Sequence, residues 1–177
     1  IEFMLNGFFN PKTIAVVGVS RNKRKIGRVI FEQLLKSGYK DKIYPVNPKA
    51  KKIGKHICYP TVKDIPHKLD LVVIAIPAPA VLEVVKECVE KKVRSVLVIS
   101  SGFSELGTKE GIEREKMLKN ILKGSGTRLI GPNTMGIYDS NSKVDTIFLP
   151  ESKLSRPKKG GISFISQSGA IGAMVLN

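Results

Sequence analysis

Thr13-Ile14-Ala15-Val16-Val17-Gly18-Val19 decides the fold. It is an unbroken, largely β-branched apolar run closing on Gly, the pattern of a strand covered on both faces. Outward from it, Ile26 to Lys36 reads as an amphipathic helix. Ile26, Val29, Ile30 and Leu34 share one side, and Gly38 follows as a stop. Lys42 to Val46 is a second strand, cut off by Asn47-Pro48, and Asp70 to Ile76 a third, the most apolar in the chain. Pro79 to Lys92 predicts a helix with Pro near its start, where the missing N–H costs nothing. Val81, Val84, Val85, Cys88 and Val89 form its inner face, so Cys88 reads as packing. Ser95 to Ser100, Thr108 to Lys123 and Thr127 to Ile130 add a strand, a helix and a fifth strand. Strands alternating with helices at this spacing imply right-handed crossovers and a parallel α/β sheet.

The class is therefore a doubly wound, Rossmann-like sheet over residues 4–150. The opening Ile1-Glu2-Phe3 ahead of Met4 reads as a cloning remnant and is set aside. Residues 48–69 carry no long helical pattern, only a short turn over Thr61 to Ile65. Pro, Ser and Lys over 151–159 read as a linker. Gly161-Ile162-Ser163-Phe164-Ile165-Ser166 then predicts a new strand and Gly169 to Leu176 a new helix. Residues 160–177 thus read as the start of a second α/β domain, cut short.

At 177 residues with 42% hydrophobic and 25% charged residues, the composition is that of a globular domain and excludes disorder. Leu71 to Ile76 and Ala78 to Leu82 are separated by Pro77 and are too short for a membrane span. Two cysteines make no disulfide framework and no signal peptide is legible, which predicts a cytoplasmic protein. Thirty Lys and Arg against fifteen Asp and Glu leave a net charge of +15. Many of the bases fall in three acid-free clusters: Arg21 to Arg28, Lys49 to Lys55, and Lys153 to Lys159. Such a balance suits nucleic acid, an acidic membrane surface or a polyanionic small ligand. Aromatics at 6% with no Trp argue against nucleic acid, and no motif points to a membrane.

In a doubly wound sheet the ligand sits at the carboxyl ends of the strands. Here those ends are Gly18-Val19-Ser20, Val46-Asn47-Pro48-Lys49, Ile76-Pro77-Ala78, Ser100-Ser101-Gly102 and Gly131-Pro132-Asn133, all small, polar or Pro/Gly. Turns favour such residues anyway, but five together mark a site. The tight G-x-G-x-x-G of a dinucleotide fold is absent: after Gly18 no glycine comes until Gly27. The second strand ends in Asn47-Pro48-Lys49, not in the Asp or Glu that holds the NAD ribose. A lysine there suits a phosphorylated ribose, and two basic clusters converging on one crevice suit several phosphates. Coenzyme A fits, with its diphosphate at the first helix N-terminus. NADP stays open on the same argument. There is no P-loop and no nucleophile elbow, and the two histidines and two cysteines lack metal spacing. His56 and His67 read as surface or packed residues.

Six segments in register carry a resemblance: Val16 to Ser20, Ile43 to Lys49, Ile76 to Ala78, Val98 to Phe103, Gly131 to Asn133 and Ser166 to Ala170. Together they resemble the CoA-binding (α) domain of the NDP-forming acyl-CoA synthetases, nearest to the ADP-forming acetyl-CoA synthetases and related to succinyl-CoA synthetase. The resemblance implies the reaction acyl-CoA + ADP + phosphate to acid + CoA + ATP, through an acyl phosphate and a phosphohistidine. It implies CoA contacts from Gly18, Ser20, Arg21, Asn22, Lys23, Asn47 and Lys49, adenine beside Pro77, and Ile99, Ser100 and Ser101 along the cofactor. Asn133 would lie near the thioester, and Ser166, Ser168 and Gly169 would open a phosphate-holding helix. The departures are a very basic loop after Ser20 and Thr134 where a Cys often stands. No residue of this chain matches the phosphorylated histidine, so no catalytic residue and no metal ligand is assigned. ATP, ADP and Mg would belong to an ATP-grasp part or β subunit outside this chain. A stand-alone CoA-binding regulator, part of a protein acetyltransferase, an NAD(P) redox sensor and a homo-oligomer remain as alternatives.

Overall fold

The structure is a computed structural model and describes residues 2–176. Its elements in order are α1 (Glu2–Phe9), β1 (Thr13–Val17), α2 (Ile26–Lys36), β2 (Lys42–Val46), β3 (Lys52–Ile53), β4 (His56–Ile57), β5 (Leu71–Ile74) and α3 (Ala78–Glu90). There follow β6 (Ser95–Val98), a 3₁₀ turn (Ser104–Leu106), α4 (Lys109–Leu122), β7 (Arg128–Ile130), β8 (Tyr138–Asp139), β9 (Val144–Asp145) and α5 (Gly169–Leu176). Five parallel strands form the sheet in the order β2-β1-β5-β6-β7. The chain winds one way from β1 to β2 and the other way from β5 onward, so the order reverses between β1 and β5.

Alternation along the buried strands separates two cores. Ala15, Val17, Val72, Ile74, Val96 and Val98 face α3 and α4, where Val81, Val85, Cys88 and Leu118 meet them. Ile14, Val16, Leu71, Val73 and Leu97 face Ile30, Phe31 and Leu34 of α2 and Phe8 of α1. Asp70 pins the β1–β5 register. Its carboxylate accepts from the Thr13 N–H and hydroxyl, both at 3.1 Å, and from the Lys12 N–H at 2.9 Å.

The sheet and the three large helices follow the sequence reading, with ends shifted by a residue or two. Four features differ. Helix α1 runs through Glu2 and Phe3, which the reading had set aside, and sends Phe8 to 1% exposure. The hairpins β3–β4 and β8–β9 have ladders of two residues each, too short for any periodicity to announce. Gly161 to Ser166 does not pair as a strand: Ile162 and Ile165 are 95% and 96% exposed, although α5 forms where expected. The stretch read as a linker is docked on the sheet domain, with Leu154 buried and Arg156 in a buried ion pair with Asp145 at 2.8 Å.

Cys58 and Cys88 are buried free thiols, and burial pushes the Cys88 thiol up, which agrees with a packing role. His56 stands edge-on to Phe31 and His67 stacks on Tyr44. Among the described residues no group of three or more His, Cys, Asp or Glu could hold a metal, and no helix is long and apolar enough to cross a membrane.

Candidate functional site

The turn from β1 into α2 builds the floor of the site. Gly18 has φ +96°, and a Cβ there would strike the Ala75 carbonyl of the neighbouring strand end. Gly27, in the first turn of α2, lies so close to this turn that its Cβ would sit 2.5 Å from the Gly18 oxygen. The close strand–helix approach that three tightly spaced glycines give a dinucleotide fold is reached here by two, nine residues apart. The longer loop between them holds itself: the Ser20 hydroxyl accepts from the Asn22 N–H, and the Asn22 side-chain oxygen from the Arg24 N–H. Arg28 closes it by donating to the Ser20 carbonyl at 3.2 Å while pairing with Glu32 at 2.8 Å.

Helix α2 begins after Lys25, which gives no side-chain cap, and its first turn holds no acid. The positive end of the helix dipole is thus left uncapped by any side chain, and an anion would satisfy it. Lys25 and Ile26 border a cleft of about 860 Å³, within the range of small-molecule and cofactor sites. The cleft opens where β1 and β5 part. Gly18 and Ser20 line it from β1, Ala75, Ile76 and Pro77 from β5, and Ile99, Ser100 and Ser101 from β6. Asn133, Thr134 and Met135 line it beyond β7, Phe148 and Leu149 beyond β9, and Gln167, Gly169, Ala170 and Ala173 around the start of α5.

Glu105 shapes the loop after β6. Burial pushes its carboxyl up, but the N–H groups of Gly102, Phe103 and Glu105 itself outweigh that and hold it below the usual range.

Eight of the residues expected from the sequence meet in this cleft: Gly18, Ser20, Pro77, Ile99, Ser100, Ser101, Asn133 and Gly169. Ser100 is there in a bracing role, its hydroxyl donating to the Ile76 carbonyl at 2.5 Å and accepting from the Ile76 N–H at 3.2 Å. Arg21, Asn22 and Lys23 stand on the exposed loop and are not in the wall. Asn47 is also outside it, because its amide donates to the Val19 carbonyl and its oxygen accepts from the Lys49 N–H, both at 2.8 Å. It ties the loops after β1 and β2 together, and Lys49 is exposed beside that tie. Ser166 and Ser168 lie off the wall with their hydroxyls bonded within their own turn. The reading missed Met135, Phe148, Leu149, Ala170 and Ala173, since apolar residues after a last strand carry no site signal.

Residues 12–140 match the family model described as "CoA binding domain". The chain is 42% identical over 165 residues to acetate–CoA ligase (ADP-forming) II of Archaeoglobus fulgidus, covering 93% of this chain and 24% of that protein. It is 40% identical to the alpha subunit of acetate–CoA ligase (ADP-forming) II of Pyrococcus furiosus, covering 98% of this chain and 36% of that subunit. The chain therefore spans between about a quarter and a little over a third of these relatives' lengths. Among solved structures it is similar to acetyl-coenzyme A synthetase 1 of Ca. Korarchaeum cryptofilum in complex with phosphate and ADP. The TM-score is 0.86 at 40% identity, over 97% of this chain and 36% of that one. With the matched region spanning the whole parallel sheet and the cleft floor, the chain belongs to the CoA-binding domain family.

Proposed function

We propose that this chain is the CoA-binding portion of an ADP-forming acyl-CoA synthetase, with the cofactor lying across the β1/β5 cleft. The observation that carries the reading is the uncapped α2 N-terminus at the mouth of the cleft, between two basic loops and beside a β2 end that lacks an acid. The Gly18–Gly27 approach lets a diphosphate come close to backbone N–H groups, and Lys49 stands on the side suited to the ribose 3′-phosphate. Bound CoA supplies a thiol for acyl transfer. The chain's own residues bind and orient it: Ser20 and Lys25 border the diphosphate end, and Asn133 and Thr134 the opposite end of the cleft. Nucleotide, Mg and the phosphate-carrying histidine belong to an ATP-grasp part or partner subunit, so the chain alone turns nothing over. A cytoplasmic location fits its two free thiols.

A thermal-shift series with CoA, 3′-dephospho-CoA, NAD and NADP tests this. At a hundredfold excess over Kd a ligand that binds only the native state adds about 2.7 kcal/mol of stability. CoA is expected to shift the melting temperature and NAD to leave it unchanged; equal shifts would refute the reading.

Lys49→Ala sharpens the placement. The variant is expected to lose about 1.5–3 kcal/mol of CoA affinity, the scale of one charge-assisted hydrogen bond. Affinity for 3′-dephospho-CoA should hardly move. Equal losses for both ligands in calorimetry would take Lys49 off the 3′-phosphate.

A further inference from the structure

The far wall of the cleft is built unlike the rest of it. Phe148 and Leu149 do not come from a strand end of the main sheet; they follow β9 on a strap that runs back across α2. Two sets of contacts hold that strap. Along its start, the Thr146 N–H donates to the Ile137 carbonyl at 2.9 Å and the Phe148 N–H to the Met135 carbonyl at 3.3 Å. These bonds set Phe148 beside Met135, which α5 meets through Gly172, where an added Cβ would be 3.4 Å from the Met135 methyl.

Across its end, Arg156 donates from Nε to the Asp145 carboxylate at 2.8 Å, from Nη2 to the Leu149 carbonyl at 2.8 Å and from Nη1 to the Leu154 carbonyl at 2.6 Å. Gln33 of α2 adds bonds to the same carboxylate at 3.3 Å and the same Leu149 carbonyl at 3.2 Å. The Arg156 and Asp145 side chains are only 5% and 6% exposed. A planar guanidinium with three acceptors at fixed places fixes the curve of the strap as well as its attachment.

The strand order gives this wall a chemical meaning. Lys49 follows β2, at one edge of the sheet, and Met135 follows β7, at the other. The anion-ready end of α2 lies at the switch point between them. A CoA molecule with its diphosphate at α2 and its phosphorylated ribose toward Lys49 must send its thiol arm toward the β7 side. There Met135, Phe148 and Leu149 give the cleft an apolar wall beside the polar Asn133 and Thr134.

We propose that Phe148, Leu149 and Met135 set which acyl chains a bound CoA thioester can carry, and that Asp145 and Arg156 are the positioning pair that holds this wall in place. The inference rests on the CoA reading of the cleft. Phe148 is only partly buried, so its truncation is expected to cost less than that of a core Phe while it enlarges the far end of the cleft. Arg156→Gln leaves the Leu149 carbonyl held by Gln33 alone and lets the same wall retreat.

The test is calorimetric titration of the full chain, wild type, Phe148→Ala and Arg156→Gln, with CoA, acetyl-CoA and hexanoyl-CoA. Both variants are expected to improve the ratio of hexanoyl-CoA to acetyl-CoA affinity by about tenfold or more, the effect of one or two methylenes finding room in an apolar pocket. Their affinity for free CoA should change by no more than about threefold, well below a tenfold step of 1.4 kcal/mol. The double variant should add little to either single one, because both act on one wall. The ratio is a readout that a structural defect does not move, since loss of folded protein lowers the active fraction for every ligand alike. An unchanged ratio in Phe148→Ala, with CoA still bound, overturns the proposal even if Arg156→Gln fails to fold. No CoA binding by the wild type would overturn the reading of the cleft itself, and this proposal with it.

Discussion

Gly18→Ala is expected to destabilise the chain by about 2–5 kcal/mol and to abolish the thermal response to CoA. Two independent costs add at this position. A side chain at φ +96° pays roughly 1–2 kcal/mol in the left-handed region. The new methyl also meets the Ala75 carbonyl, with the Ile76 side chain at 2.8 Å, which adds roughly 1–3 kcal/mol of overpacking. Against a total stability of about 5–15 kcal/mol that is a large fraction. Gly27→Ala separates the two costs, because Gly27 lies in a helix, where Ala is worth about 0.5–1 kcal/mol over Gly. With its Cβ 2.5 Å from the Gly18 oxygen, the substitution should destabilise in spite of that gain. Urea unfolding of both variants decides it, and a more stable Gly27→Ala would remove the argument for close strand–helix packing.

Arg156→Met should cost about 3–5 kcal/mol near neutral pH, the penalty for leaving one member of a buried pair without its partner. Burial already pushes the Asp145 carboxyl up, with the Arg156 guanidinium pulling it back. Without that cation the folded-state pKa rises further above the unfolded one. A group shifted that way contributes its stability below the unfolded pKa and loses it as pH rises through the folded pKa. The deficit of the variant should therefore be largest at pH 8 and shrink toward pH 5. Adding Asp145→Asn to Arg156→Met should return part of the loss. A deficit that is the same at both pH values and unaffected by Asp145→Asn would show that the unpaired carboxylate is not its source.

What the sequence makes legible follows from how each signal is produced. Thr13 to Val17 and Leu71 to Ile74 lie in a sheet covered on both faces, so burial itself writes a continuous apolar run. Helices α2 and α3 show the i, i+3, i+4 spacing because one side of each is packed. The strand ends of the cleft were legible for the same reason, since topology fixes where Gly18, Pro77, Ser101 and Asn133 must converge. Arg156 was not legible. In a Pro-, Ser- and Lys-rich stretch its charge reads as one more solvated base, and only the fold reveals that Asp145 waits for it under the strap. Asn47 shows the opposite: a polar residue at a strand end reads as a ligand contact, and composition gives no sign that its side chain also bonds to Val19 and Lys49 of its own chain. Gly161 to Ser166 has the composition of a strand, but a strand is completed by its neighbours, and composition names none.

That unpaired stretch has a consequence for solubility. Ile162, Phe164 and Ile165, with Ile171, Met174 and Val175 of α5, expose a run of apolar surface on a body that carries a net charge of +15. Mutual repulsion between like-charged bodies keeps such surfaces apart at low ionic strength. The reach of that repulsion shrinks from about 10 Å at 0.1 M salt to about 3 Å at 1 M, while attraction between apolar surfaces is not screened and strengthens in excluded salts such as sulfate. Light scattering of this chain is therefore expected to rise between 0.1 M and 1 M salt, and a flat profile would show that residues 162–175 are not a contact surface.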